Sequence, residues 1–188
     1  MNSRRIYDVH ALLAECKQGY HPDYVFFWKP VPAVDGQIGK GCLCQWWVAP
    51  FLVEGVRYDT AEHFMMAEKA RLFGDFAIHE KILSTASPRL VKELGRQIKG
   101  FDTPTWVLRR TDIVTRGNMA KFGQHDDLRE YLLATGEKIL VEASPYDTIW
   151  GIGRAEDDPC AASPEQWNGL NLLGFALMLV RDQLAAVA

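Results

Sequence analysis

Residues 58–70 read Tyr58-Asp59-Thr60-Ala61-Glu62-His63-Phe64-Met65-Met66-Ala67-Glu68-Lys69-Ala70 and predict a capped helix. Thr60 is a favourable N-cap, because a threonine hydroxyl accepts a hydrogen bond from an amide of the first turn. One face of this helix then carries the residues at offsets of 0, 4, 7 and 11, which are Glu62, Met66, Lys69 and Phe73. Two of the four are charged, and burying an unpaired charge is costly. We therefore expect Glu62 and Lys69 to border a cleft.

The composition is that of a globular protein. Of 188 residues, 48% are hydrophobic and 24% are charged, which predicts one domain with one core. The formal net charge of −3 excludes a global basic field that would attract nucleic acid. The four cysteines lack the paired C-x-x-C spacing of a zinc site. With no signal-peptide pattern and no apolar run of about 20 residues, we expect a cytoplasmic protein without a membrane partner.

Helices dominate the predicted secondary structure. Turn residues, caps and periodicity predict helices over residues 9–16, 60–73, 75–84, 87–100, 105–122, 126–136 and from 164–167 to the C-terminal end, and extended segments at 24–28, 51–58 and 139–144. Residues 145–163 hold Gly, Pro and Asp without periodicity and predict a loop, and loops of that length are often functional. The fold class expected is mainly α (α+β), a single helical domain with a small β element.

The helix predicted at residues 105–122 has an aromatic and two cations on one face. Trp106, Arg110, Gly117 and Lys121 stand there at offsets of 0, 4, 11 and 15. Such a face is able to stack a ring and neutralise a phosphate. The pattern alone favours a plainer interpretation, a core tryptophan flanked by cations whose stems are buried.

A second candidate segment follows the strand predicted at residues 139–144. It contains Asp147 and Trp150-Gly151-Ile152-Gly153, whose glycines permit a close approach of backbone to a ligand. An ordinary turn held by an aspartate would look the same. Glu62-His63 does not form an H-E-x-x-H motif, so we predict no metal site.

Taken in order, these stretches resemble the NADAR family, the YbiA-like proteins. The resemblance covers roughly residues 42–184 and rests on Gln45-Trp46, Glu62 to Ala70, Leu94-Gly95-Arg96, Trp106 with Arg110, Lys121-Phe122, residues 132–136, Leu140-Val141-Glu142, Asp147 with Trp150 to Gly153, and Asn171 to Gly174. The chain departs from the family at Cys44, where members often have serine. Its 155–166 segment is also longer and more acidic than in a minimal member.

The resemblance implies a YbiA-like fold over residues 1–188, with a lead-in of residues 1–24 and a core of about residues 25–186. It implies N-glycosidase chemistry on ribosyl compounds, with no cofactor and no metal. The residues carried over for catalysis are Glu62, Asp147 and Trp106. Those carried over for substrate binding are Gln45, Trp46, Lys69, Arg110, Lys121, Phe122, Trp150, Gly151 and Gly153.

Three functions compete on this basis. The first is hydrolysis of a ribosyl nucleotide-like compound, such as a phosphorylated ribosylaminouracil of riboflavin synthesis. The second is removal of ADP-ribose from guanine, for which nucleic acid is a partner only as the modified substrate. The third is a non-catalytic sensor of ADP-ribose or NAD, which the presence of both Glu62 and Asp147 disfavours. For the first two, a carboxylate near the anomeric carbon would stabilise the positive charge that develops on the sugar.

Overall fold

The computed structural model describes residues 5–34 and 36–187 and divides the chain into two compact units, Met1–Cys44 with Asp127–Ala188, and Gln45–Asp126. The helices are α1 (Val9–Lys17), α2 (Ala61–Leu72), α3 (Phe76–Leu83), α4 (Pro88–Gly95), α5 (Thr103–Gln124), α6 (Asp126–Ala134) and α7 (Leu172–Ala185). The strands are β1 (Tyr24–Phe27), β2 (Phe51–Val53), β3 (Val56–Tyr58) and β4 (Ile139–Glu142). This arrangement confirms the mainly helical fold with a small β element. The expectation of a single domain stays a prediction.

The first unit is built on two strands that are far apart in sequence. β1 pairs in parallel with β4, so that Tyr24 faces Ile139 and Phe27 faces Glu142. Helix α7 approaches β4 closely at Gly174, where an added Cβ would lie 2.0 Å from the carbonyl oxygen of Leu140. Only glycine allows this contact, which places the strand and the helix backbone against each other.

The second unit surrounds α2. Every α2 residue from Ala61 to Glu68 is buried, as is Ala70. Glycines let two neighbouring helices come close, because an added Cβ at Gly117 of α5 would lie 2.5 Å from Cδ1 of Phe64, and one at Gly95 of α4 would lie 2.1 Å from Sδ of Met66. The α2 segment is therefore the centre of this unit.

Three elements depart most from the sequence predictions. The predicted extended segment 51–58 is a hairpin, because Glu54 and Gly55 both have positive φ and form a two-residue turn between β2 and β3. Helix α4 ends at Gly95, five residues before Gly100. The last helix starts at Leu172 instead of residues 164–167, where there is only a 3₁₀ turn, Pro164–Gln166. None of the helices among the described residues is long and apolar enough to cross a membrane.

Candidate active site

Glu62 lies in the first turn of α2, and its helix start is fixed by a buried network. Thr60 Oγ1 accepts a hydrogen bond from the His63 amide at 3.4 Å and lies 2.8 Å from His63 Nδ1. His63 Nε2 lies 2.7 Å from the carbonyl oxygen of Thr85. Because a carbonyl only accepts, Nε2 carries the proton and Nδ1 accepts from the Thr60 hydroxyl. His63 is thus a structural residue that holds the turn bearing Glu62.

Glu62 itself is only 3% exposed. Its backbone amide donates to the carbonyl oxygen of Gln45 at 3.0 Å, which fixes residue 45 beside the helix start. The positive end of a helix dipole favours a carboxylate in this position. The predicted cleft-lining carboxylate is therefore in a largely dry environment, where its charge acts more strongly than in water.

Lys69 is half-buried two turns further along α2. Its Nζ donates to the carbonyl oxygen of Gly95 at 2.8 Å and lies 4.4 Å from the ring centroid of Phe101 and 5.4 Å from that of Trp106. Burial lowers the pKa of Lys69, the charge of Glu62 raises it, and the neighbouring Arg96 lowers it further. Lys69 and Trp106, predicted to share a site, are in contact.

The second buried carboxylate of α2 has a different environment. Glu68, 9% exposed, accepts from Arg71 through one oxygen and from Arg116 through the other, both at 2.8 Å. Both arginines are about half exposed. Glu68 thus has the full set of partners expected of a structural ion pair, and it provides an internal comparison for Glu62.

The α5 face predicted to bind substrate runs from surface to core. Trp106 and Arg110 are half-buried, and burial lowers the pKa of Arg110. Lys121 and Phe122 are fully buried, with Lys121 Nζ 4.9 Å from the ring centroid of Phe122. Trp106 offers one ring face to Lys69, so stacking on a base requires the other face. Ligand binding by Lys121 and Phe122 stays a prediction.

Sequence reasoning missed Asn118, a fully buried residue of α5. Its Nδ2 donates to Gln45 Oε1 and to the carbonyl oxygen of Val114, each at 2.9 Å. The signal was present in the sequence, because an asparagine one turn after Val114 and one turn before Phe122 has apolar neighbours on its own face. Gln45, predicted to bind substrate, is 8% exposed, and Trp46 next to it is half-buried.

The loop that contains Asp147 belongs to the first unit. Contacts with the backbone of its own unit account for its conformation. Asp147 Oδ1 accepts from the amides of Ile149 and Trp150 at 2.9 and 2.8 Å, which is an aspartate-held turn. An added Cβ at Gly151 would lie 2.7 Å from the carbonyl oxygen of Glu142. Gly151 is therefore required by the chain's own packing, and so is Gly153, which has φ +67. A catalytic role for Asp147 stays a prediction.

The NADAR domain model matches residues 26–185. The chain belongs to this family. N-glycosidase R617 of Acanthamoeba polyphaga mimivirus is 41% identical to this NADAR protein over 165 residues, which are 85% of this chain and 95% of the viral protein. N-glycosidase YbiA of Escherichia coli (strain K12) is 33% identical over 136 residues, 72% and 76% of the two chains. The NMR structure of the E. coli protein YbiA matches with a TM-score of 0.68 at 26% identity, over 98% of this chain and 92% of that one.

Membership in the NADAR family confirms the resemblance inferred from the motifs. Its relatives named N-glycosidases place the chain among hydrolases that act on N-glycosyl compounds. Among the residues the structure describes, no group of three or more His, Cys, Asp or Glu side chains is placed to hold a metal ion. The side chains that this NADAR domain does bring together in its second unit are carboxylates, cations, carboxamides and aromatic rings.

Proposed function

We propose that this protein hydrolyses the N-glycosidic bond of a phosphorylated ribosyl compound, a ribosylaminouracil phosphate or a close analogue, with Glu62 as the carboxylate at the ribose. The observation that supports this most is Glu62 itself. It is a buried carboxylate in the first turn of a helix, in a family whose relatives are named N-glycosidases. Cleavage of the bond creates positive charge on the sugar, and a preorganised carboxylate in a dry site stabilises that charge.

The surrounding groups fit the other parts of such a substrate. Lys69 and Arg110 are cations on α2 and α5, and both are proposed to bind the phosphate. They would explain how a protein of net charge −3 holds an anionic ligand. The ring face of Trp106 opposite Lys69 is proposed to stack on the base. Asp147 is proposed as the second carboxyl group, which in its acid form donates a proton to the departing base and becomes a carboxylate.

The test compares two substitutions in the same helix. Glu62→Gln and Glu68→Gln each replace a buried α2 carboxylate by the isosteric amide. For Glu62→Gln we expect release of free base to fall by about 100- to 1,000-fold, since one preorganised electrostatic group is lost, while ligand binding is preserved. For Glu68→Gln we expect normal turnover and a loss of stability of about 1–3 kcal/mol, because its arginine partners are half exposed.

The substrate panel contains ribosylaminouracil phosphate, NAD, ADP-ribose and a DNA oligonucleotide with ADP-ribosylated guanine, with released base detected by mass. Release from the oligonucleotide alone would assign the ADP-ribosyl hydrolase activity instead. Binding without release from any member, together with intact biological activity of Glu62→Gln, would identify a sensor. Equal turnover by Glu62→Gln and the unsubstituted protein would refute the role of Glu62.

A further inference from the structure

The two buried carboxamides of the second unit are incompletely hydrogen-bonded. Both hydrogens of Asn118 Nδ2 are used, one by Gln45 Oε1 and one by the carbonyl oxygen of Val114. Gln45 Nε2 and Asn118 Oδ1 make no hydrogen bond to any part of the chain described here, although each is buried. A buried donor or acceptor without a partner costs stability, so natural proteins keep few of them. In this amide pair one donor and one acceptor have no hydrogen-bond partner, and this indicates that a ligand provides the missing contacts.

The amide pair is linked, through the backbone of Gln45, to the helix turn that bears the proposed catalytic carboxylate. The backbone carbonyl oxygen of Gln45 accepts from the Glu62 amide at 3.0 Å, so residue 45 is fixed to the helix turn that bears Glu62. A group that contacts the base must lie within a few ångströms of the group that acts on the ribose, because one bond joins the two parts of the substrate. The backbone hydrogen bond between Gln45 and Glu62 places residue 45 of the pair beside this turn.

The two atoms without partners define the hydrogen-bonding pattern that a ligand must have. Gln45 Nε2 is a donor and Asn118 Oδ1 is an acceptor. A ring that carries an N–H next to a C=O, a lactam, presents the complementary pair. Carboxamides recognise bases by such paired contacts elsewhere. Uracil and guanine, the bases of the two predicted substrates, both have a lactam edge.

We propose that Gln45 and Asn118 together recognise the lactam edge of the base that is released, with Gln45 donating to the carbonyl and Asn118 accepting from the ring N–H. This inference rests on the proposed N-glycosidase function. Gln45 lies outside any helix or strand, and its side chain makes a single hydrogen bond, so turning its amide toward a ligand breaks one contact. Asn118 is anchored to its own helix by Val114, which fixes the direction of Oδ1.

The experiment uses ribosylaminouracil phosphate and ADP-ribosylated guanosine, each with counterparts methylated at a ring nitrogen next to a carbonyl; the uracil has two such nitrogens and is tested as two separate methylated compounds. Methylation removes the ring N–H and leaves Asn118 Oδ1 without a partner. For the unsubstituted protein we expect kcat/KM and affinity to fall by about 10- to 100-fold on methylation. In Asn118→Leu, which is close to asparagine in size, we expect the parent and methylated compounds to differ by no more than about threefold. Gln45→Met should weaken binding of the parent and methylated compounds by a similar factor and keep the discrimination, because Gln45 contacts the carbonyl, which methylation leaves in place.

Discrimination that is equal in the unsubstituted protein and in Asn118→Leu would overturn the proposal, as would no discrimination at all; the amide pair would then hold a buried water. If Asn118→Leu does not fold, Gln45→Met still tests the pair, since unchanged affinity of this variant for the parent compound would overturn the proposed contact of Gln45 with the carbonyl. Measured affinities of the parent and methylated compounds test lactam recognition separately from base release, which tests the proposed function. Loss of discrimination on substitution, measured by binding without any release of base, would support lactam recognition and refute the glycosidase activity.

Discussion

Gly117→Ala should destabilise the protein even though alanine is the better helix former. The new Cβ would lie 2.5 Å from Cδ1 of Phe64 and 3.2 Å from two further atoms of that ring. Carbon atoms prefer about 3.5–4.0 Å, so the helix and the ring must separate by about 1 Å. The ring cannot easily yield, because Phe51 and Tyr58 contact it at centroid distances of 6.1 and 5.1 Å.

The magnitude follows from two opposing terms. Overpacking a filled core costs about 1–3 kcal/mol, and replacing glycine by alanine within a helix gains up to about 1 kcal/mol. Gly123→Ala in the same helix is the matched control, since an added Cβ there meets nothing within 4 Å. The helix-propensity terms largely cancel between the two variants. We expect Gly117→Ala to be less stable than Gly123→Ala by about 1–3 kcal/mol.

Urea unfolding of both variants measures this difference as a shift in midpoint at constant slope. Adding Phe64→Leu to Gly117→Ala should restore part of the loss, because the smaller side chain frees space beside the new methyl group. Equal stability of Gly117→Ala and Gly123→Ala would refute the reasoning, since it would mean that α5 does not press on Phe64. Base release should fall only in Gly117→Ala, because Asn118 follows directly on the displaced segment.

Three further predictions concern other parts of the chain. Asp147→Asn keeps the oxygen that holds the turn, so this variant should lose base release at unchanged stability. Asp147→Ala should lose base release and also about 1 kcal/mol of folding stability, by analogy with helix caps. Full activity of Asp147→Asn would remove Asp147 from the mechanism. Burial raises the pKa of Tyr24 well above 10, so the folded state keeps the phenol proton to higher pH than the unfolded state. The free energy of unfolding should therefore fall above pH 10 by up to about 1.4 kcal/mol per pH unit. Urea unfolding at a series of pH values should show a shallower fall for Tyr24→Phe. His63→Leu leaves the Thr85 carbonyl without its donor and the Thr60 hydroxyl hydrogen without its acceptor, and it should cost about 1–3 kcal/mol. His63→Gln should retain part of the stability, because its own N–H is able to donate to the Thr85 carbonyl; equal losses would contradict the assigned tautomer.

The local parts of the fold could be predicted from sequence because local chemistry determines them. Thr60, Asp75 and Ser87 each cap a helix with their own side chain, as their residue types indicated. The 51–58 hairpin was missed because Glu54 adopts positive φ, which glutamate does rarely. The start of α7 was missed because Asn171 is in the left-handed conformation and binds β4, a contact that depends on tertiary structure.

The candidate site could be predicted only in part. Glu62 and Lys69 were identified from charge on an apparently amphipathic stripe, but α2 is buried on nearly all sides, so its charged residues are distinguished by their partners rather than by their face. Glu68 and Glu62 look alike in sequence, and the contacts of Glu68 with Arg71 and Arg116 are visible only in the structure. Asn118 was missed because the significance of an asparagine in a helix depends on what lies opposite it.

The parallel pairing of β1 with β4 has a consequence for synthesis on the ribosome. Tyr24 and Ile139 are 115 positions apart, and the whole of Gln45–Asp126 lies between them. At about 5–20 residues per second, β1 is synthesised roughly 6–23 s before its partner strand. During that interval the aromatic residues of β1 lack their native neighbour, while the continuous central segment already has all of its own residues. We expect nascent chains arrested before Ile139 to be the ones that require a chaperone.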